Sequence, residues 1–203
     1  RALSQAWKDK DMRRISSIYH GSSINQIIFA AGMFVLIWIN FTDGVLTFHL
    51  QKDYLNAKDI FLYIGLMRII DMGTGLNAQI ISTSTYWRFD FITGIILFTI
   101  TIPLNYLLTK TLGVTGPAIS NLISFTIYNG IRYLFLLKKF RLQPFNGKSA
   151  LAILWVLICY FIWEFLFSDK TGIFWILVRS CSFVVVYVAG VILLNLSNDV
   201  VPV

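Results

Sequence analysis

Long apolar runs almost free of charge dominate the sequence. A helix that crosses a bilayer needs about 20 mostly apolar residues. Six segments meet that requirement: 23–41, 59–83, 89–109, 114–137, 149–167 and 173–194. They predict an all-α, polytopic membrane protein with six transmembrane helices. Transmembrane β-strands are shorter and alternate, and these runs show no sustained period of two. Composition agrees. Hydrophobic residues make up 57% of the 203 residues and charged residues 13%, against about 25% charged in a typical soluble protein. The mean hydropathy is +0.71. So little charge could not cover a water-facing surface, and disorder requires the opposite composition.

The basic residues set the expected orientation. Residues 1–22 carry Arg1, Lys8, Lys10, Arg13 and Arg14. Arg88 and the group Lys138, Lys139, Arg141 and Lys148 fall on the same side. The opposite side holds Lys52, Lys58, Lys110 and Lys170, interspersed with Asp43, Asp53, Asp59 and Asp169. Ten basic residues against four predict that the N-terminal segment and the 138–148 connection are cytoplasmic. An even number of spans returns the tail, 197–203, to that side. The net charge of +7 then reads as basic loops beside an anionic leaflet rather than a nucleic-acid surface. The expected organisation is a basic linker helix over 1–22, four spans over 23–142, and a terminal hairpin with a short tail over 143–203. Pro144 and Gly147 mark the internal boundary.

Polar groups at membrane depth are costly and are candidates for function. The second run is the richest. With about 100° per residue, Asp71, Gly75, Gln79 and Ser82 fall within about 60° of Arg68. Two readings apply to Arg68 and Asp71. They line a hydrated cavity, with Arg68 as a permanent charge for an anionic group such as phosphate and Asp71 responding to a proton or cation. Alternatively they form an i,i+3 ion pair that lets both be buried. The stripe continuing through Gln79 favours the cavity. Asn77 lies on the apolar side and suits interhelical hydrogen bonding.

In the fourth run Asn121, Ser124, Tyr128 and Arg132 share a face, and Arg132 either lines the cavity or snorkels to the cytoplasmic surface. Pro103 should kink the third span, and Asn105 could satisfy a backbone group freed there. Asp90 suits the first turn of that span, at the positive end of the helix dipole. Glu164 and Arg179 could pair across the terminal hairpin. Cys159 and Cys181 lie in apolar runs and form neither a disulfide framework nor a metal-ligand spacing. No metalloprotease, nucleophile-elbow or phosphate-loop motif is present, and no connection is long enough for a catalytic domain. A non-enzymatic protein without cofactor or metal is expected.

The stretch IPLNYLLTKTLGVTGPAISNLIS resembles the C-terminal half of bacterial polysaccharide flippases, the O-antigen and capsule-unit transporters of the MATE-like superfamily. Their pattern is an Asn near the end of one span and a G-x-x-G-x-A turn opening the next. Asn105, Gly113, Gly116 and Ala118 match it, and Pro117 replaces the usual small residue. The opening AWKDKDMRRISSIYHGSS and the basic loop ending in Gln143–Phe145 are similar to segments of the same transporters. The likeness covers most of residues 1–145; beyond that only the span count agrees.

The resemblance implies that the chain is the last six spans of a fourteen-span carrier: the second-lobe portion plus a terminal hairpin. An N-terminal lobe of the same chain would precede it. It implies flipping of undecaprenyl-pyrophosphate-linked oligosaccharides across the bacterial inner membrane by alternating access, with membrane lipids as surroundings and H+ or Na+ coupling as an option. Arg68, Gln79 and Arg132 are then the substrate-binding candidates and Asp71 the ion-coupling one. Pro103, Asn105, Gly113, Gly116 and Asn77 are structural. Alternatives are a multidrug or peptidoglycan-precursor exporter of the same superfamily, a membrane glycan polymerase or ligase, and a non-catalytic scaffold.

Overall fold

The computed structural model describes residues 2–197. The expected cytoplasmic tail, apart from Ser197, lies outside the described residues. Among these, the chain is all helical. The helices are α1 (Ala2–Lys8), α2 (Met12–Thr47), α3 (Ala57–Gly73), α4 (Asn77–Ser82), α5 (Trp87–Leu112), α6 (Gly116–Phe140), α7 (Gly147–Phe167) and α8 (Ile173–Leu193). Four helical stretches are long and apolar enough to cross a membrane: α2, the stretch Trp87–Phe140, α7 and α8. This is the architecture of a multi-pass membrane protein.

The Trp87–Phe140 stretch is folded on itself. Gly113 takes φ +61° at the reversal, and Pro117 stands in the first turn of α6, where a missing N–H costs nothing. A β-carbon on Gly116 would run into the backbone of Leu108 and Thr109. Ser120 faces Thr101 and Arg132 faces Asp90. As one helix advances the other retreats, so α5 and α6 are antiparallel neighbours.

α2 has 36 residues and is about 54 Å long at the usual helical rise. It begins at Met12, where the Asp11 side chain accepts from the Arg14 backbone N–H at 3.0 Å. The boundary expected between linker and span near residue 22 therefore does not interrupt the helix. Ile24, Ile27, Ala31, Val35 and Ile39 form its inward stripe, at the three- and four-residue spacing of one helix face. They pack against Ala152, Val156, Cys159 and Trp163 of α7 and Phe183, Tyr187 and Val191 of α8. Gly32 lies against the Tyr187 ring and Gly190 against the Trp155 indole. Close approach over small residues is how apolar helices gain contact when lipid is as apolar as the partner. A second cluster, with Ile15, Tyr19, Ile80, Ile81 and Leu136, joins α2 to α4 and α6.

Two expectations about the outer features are corrected. Arg179 does not pair with Glu164. It reaches Asp43 on α2 at 2.8 Å and takes the carbonyls of Ile39, Phe167 and Lys170. Trp163 turns inward at this level and leaves Glu164 exposed. Pro103 lies inside α5, which continues as helix on both sides of it; the expected bond from Asn105 to a freed backbone group is not made, and its side-chain oxygen is buried without a partner. Asn105 lies about 200° around the helix from Pro103, so its amide is far from the carbonyl that proline frees.

Candidate functional site

The expected single span over 59–83 is two helices. α3 ends at Gly73, the chain turns through Thr74, Gly75 and Leu76, and α4 starts at Asn77. Gly75 has φ +65°, and a β-carbon there would press the Ser23 backbone at 3.3 Å. The Ser23 hydroxyl donates to the Gly73 carbonyl at 2.5 Å, so α2 supports the end of α3. Neither α3, with 17 residues, nor α4, with six, is among the stretches long and apolar enough to cross a membrane.

The last two turns of α3 before this break carry the charged pair. Arg68 Nη1 lies 3.9 Å from Asp71 Oδ2, with the two side chains 63% and 30% exposed. That separation is beyond hydrogen-bond range. The other Asp71 oxygen accepts from Asn129 Nδ2 on α6 at 3.0 Å. The Thr74 hydroxyl lies 3.2 Å from Asn129 Oδ1 and 2.9 Å from the Asp71 carbonyl. Asn129 is buried, and its amide is thus fixed from both sides.

A second arm joins α6 to α5. Arg132 is buried and ion-paired with Asp90. Its Nε donates to Thr93 Oγ1 at 3.1 Å, and its guanidinium carbon stands 3.8 Å from the Tyr128 ring centroid. Arg132 therefore neither snorkels nor offers a free fork. Asp90 is still in the first turn of α5, and the ion pair adds to that position.

The remaining expected residues separate. Gln79 is exposed on α4, and no side-chain contact joins it to Arg68 or Asp71. The left-handed Gly75 resets the helical phase, so the 100° step no longer aligns residues across it. Ser82 is likewise exposed and bonds only to the Gln79 carbonyl. Asn77 is buried and accepts the Tyr19 hydroxyl from α2, an interhelical bond of the expected kind. Among the described residues no group of three or more His, Cys, Asp or Glu comes together as a metal site.

Thr93 and Thr74 are the polar partners that reading along the sequence missed; Asn129 reads there as an asparagine that joins helices, and its bond to Asp71 is of that kind. Asn129 and Asp71 are separated by 58 residues, and only the α3–α6 packing brings them together. Arg132 and Asp90 had a readable signal: both stand near the open end of the α5–α6 hairpin with opposite charge.

Chemically the two arginines differ. Arg132 is buried and gives its Nε to Thr93 and an Nη2 hydrogen to Asp90. Arg68 keeps its planar fork, five N–H groups on a permanent charge, with one long contact to a carboxylate that Asn129 already holds. Such a fork suits bidentate recognition of a phosphate or carboxylate. No family model, curated protein or solved structure matches the chain.

Proposed function

We propose that the chain forms part of the cationic path of a transporter that flips undecaprenyl-pyrophosphate-linked oligosaccharides across the bacterial inner membrane. Six crossings make up this part: α2, α3 with α4, α5, α6, α7 and α8. The N-terminal segment and the 138–148 connection are cytoplasmic, as the basic residues favour. A second lobe completes the cavity, and alternating access carries the headgroup while the polyprenyl tail stays in lipid.

One observation carries the reading. Arg68 stands exposed on a helix that breaks within two turns, while the other arginine nearby is neutralised by Asp90. An ionisable group at membrane depth is a functional candidate by default, and a broken helix is a recurring part of carrier binding sites. The likeness of Asn105, Gly113, Gly116 and Ala118 to the flippase pattern supplies the ligand class. Asp71 is the group that would bind a coupling proton or sodium ion. No catalytic residue is assigned.

The test is complementation of surface-glycan display in cells that depend on the whole protein, at matched membrane abundance. Arg68→Ala should lower display by about tenfold or more, the loss of charge-assisted hydrogen bonds to phosphate. Arg68→Lys should recover part of it, since lysine keeps the charge and loses the fork. Normal display with both variants overturns the proposal.

A further inference from the structure

A cavity of about 240 Å³ lies where the ends of α2 and α7 meet the starts of α3 and α8. Its lining mixes two indoles, Trp38 and Trp163, with Lys58, Glu164, Asp43 and Arg179. The connections on either side, 48–56 and 168–172, bring in Lys52, Asp53, Asp169 and Lys170, which places the cavity where apolar helix gives way to headgroup level. Tryptophan favours that level.

The charges in this cavity are only half used. Asp43 and Arg179 are buried and cancel each other. Lys58 rests 4.7 Å from the Trp38 ring centroid and donates once, to the Thr42 hydroxyl at 3.2 Å. Its ammonium has donors to spare. Glu164 makes no hydrogen bond or ion pair among the described residues. Lys58 and Glu164 therefore line one cavity with opposite charge and do not meet.

We propose that this cavity binds an ethanolamine-phosphate zwitterion, the headgroup of phosphatidylethanolamine. The phosphate takes the Lys58 ammonium, which donates only once within the protein. The ammonium takes Glu164 and the neighbouring Trp163 indole, as a cation over an aromatic face. A purely anionic headgroup would leave Glu164 opposed, and a purely cationic one would leave Lys58 opposed. Leu46 on the cavity rim is an exposed apolar group, suited to an acyl chain. The site stands apart from Arg68, so the proposal is independent of the transported substrate.

Native mass spectrometry of the purified protein tests it, with phosphatidylethanolamine and phosphatidylglycerol of matched chains offered at equal concentration. The wild type should retain phosphatidylethanolamine about tenfold more, the worth of one charge-assisted hydrogen bond. Lys58→Gln and Glu164→Gln, both at accessible positions, should each abolish that preference. Lys110→Gln, away from the cavity, should leave it intact. Soluble glycerophosphoethanolamine forms a separate arm. Displacement of the lipid by it shows that the free zwitterion also enters, and failure to displace assigns the site to the membrane lipid. Equal retention of the two lipids by the wild type, or an undiminished preference in both variants, overturns the proposal.

Discussion

Asn129 on α6 holds one oxygen of Asp71 on α3 at 3.0 Å, and Arg68 approaches the other oxygen only to 3.9 Å. The carboxylate is thus anchored by a neutral amide across a helix interface, and the nearby guanidinium keeps only one long ion-pair contact to it. Asn129→Leu should release Asp71 to its neighbour and lower glycan display along with Arg68→Ala. Asn129→Asp should be worse, because it sets two carboxylates against each other. Display scored at matched abundance checks the order, and equal activity of all three proteins contradicts it.

Arg132 and Asp90 behave differently because the arginine is buried. Arg132→Ala removes one partner and leaves Asp90 partly buried and uncompensated, which should cost about 3 kcal/mol. Pairing Arg132→Met with Asp90→Asn removes both charges and should recover most of that loss. Unfolding in a denaturing-detergent titration compares the two. A double variant as unstable as the single one contradicts the assignment.

The break after α3 depends on one residue. Gly75→Ala adds a methyl group in a left-handed conformation and against Ser23, and should destabilise by about 1–2 kcal/mol. Gly94→Ala, in the middle of α5 with open space around its β-position, should instead be neutral or stabilise by about 0.5–1 kcal/mol. Thermal melts of the two variants separate a required glycine from a replaceable one.

Much of this layout can be read in the sequence, and the reason is locality. An apolar run declares a helix without reference to the rest of the chain, so α2, α5, α6, α7 and α8 follow directly from their composition. Arg68 and Asp71 stand out because they interrupt such a run. The break at Thr74–Leu76 is less visible. A Gly-Thr-Gly segment suits close packing or a bend equally, and the choice is made by Ser23, 50 residues upstream of the Gly73 carbonyl it holds. Arg179 shows the same limit. Glu164 is nearer in sequence, yet Asp43, 136 residues away, takes the ion pair because α8 packs on α2.

That tether offers another check. The Arg179 fork meets Asp43 and the carbonyls of Ile39, Phe167 and Lys170 at 2.7–3.2 Å. A lysine cannot span those acceptors. Arg179→Lys should therefore destabilise by about 2–3 kcal/mol in the detergent titration, and Lys170→Gln, which keeps its backbone carbonyl, should not.

Accessibility of residue 68 itself bears most directly on the whole proposal. In a background with Cys159 and Cys181 replaced by alanine, Arg68→Cys and Leu66→Cys are exposed in intact membranes to a small charged thiol reagent. The cysteine at 68 should react, and prior loading with the pyrophosphate-linked lipid should slow the reaction, while the cysteine at 66, on the apolar side of α3, stays inert. A cysteine at 68 as inert as the one at 66 would mean that Arg68 faces no water, and the transport mechanism built on it would fall.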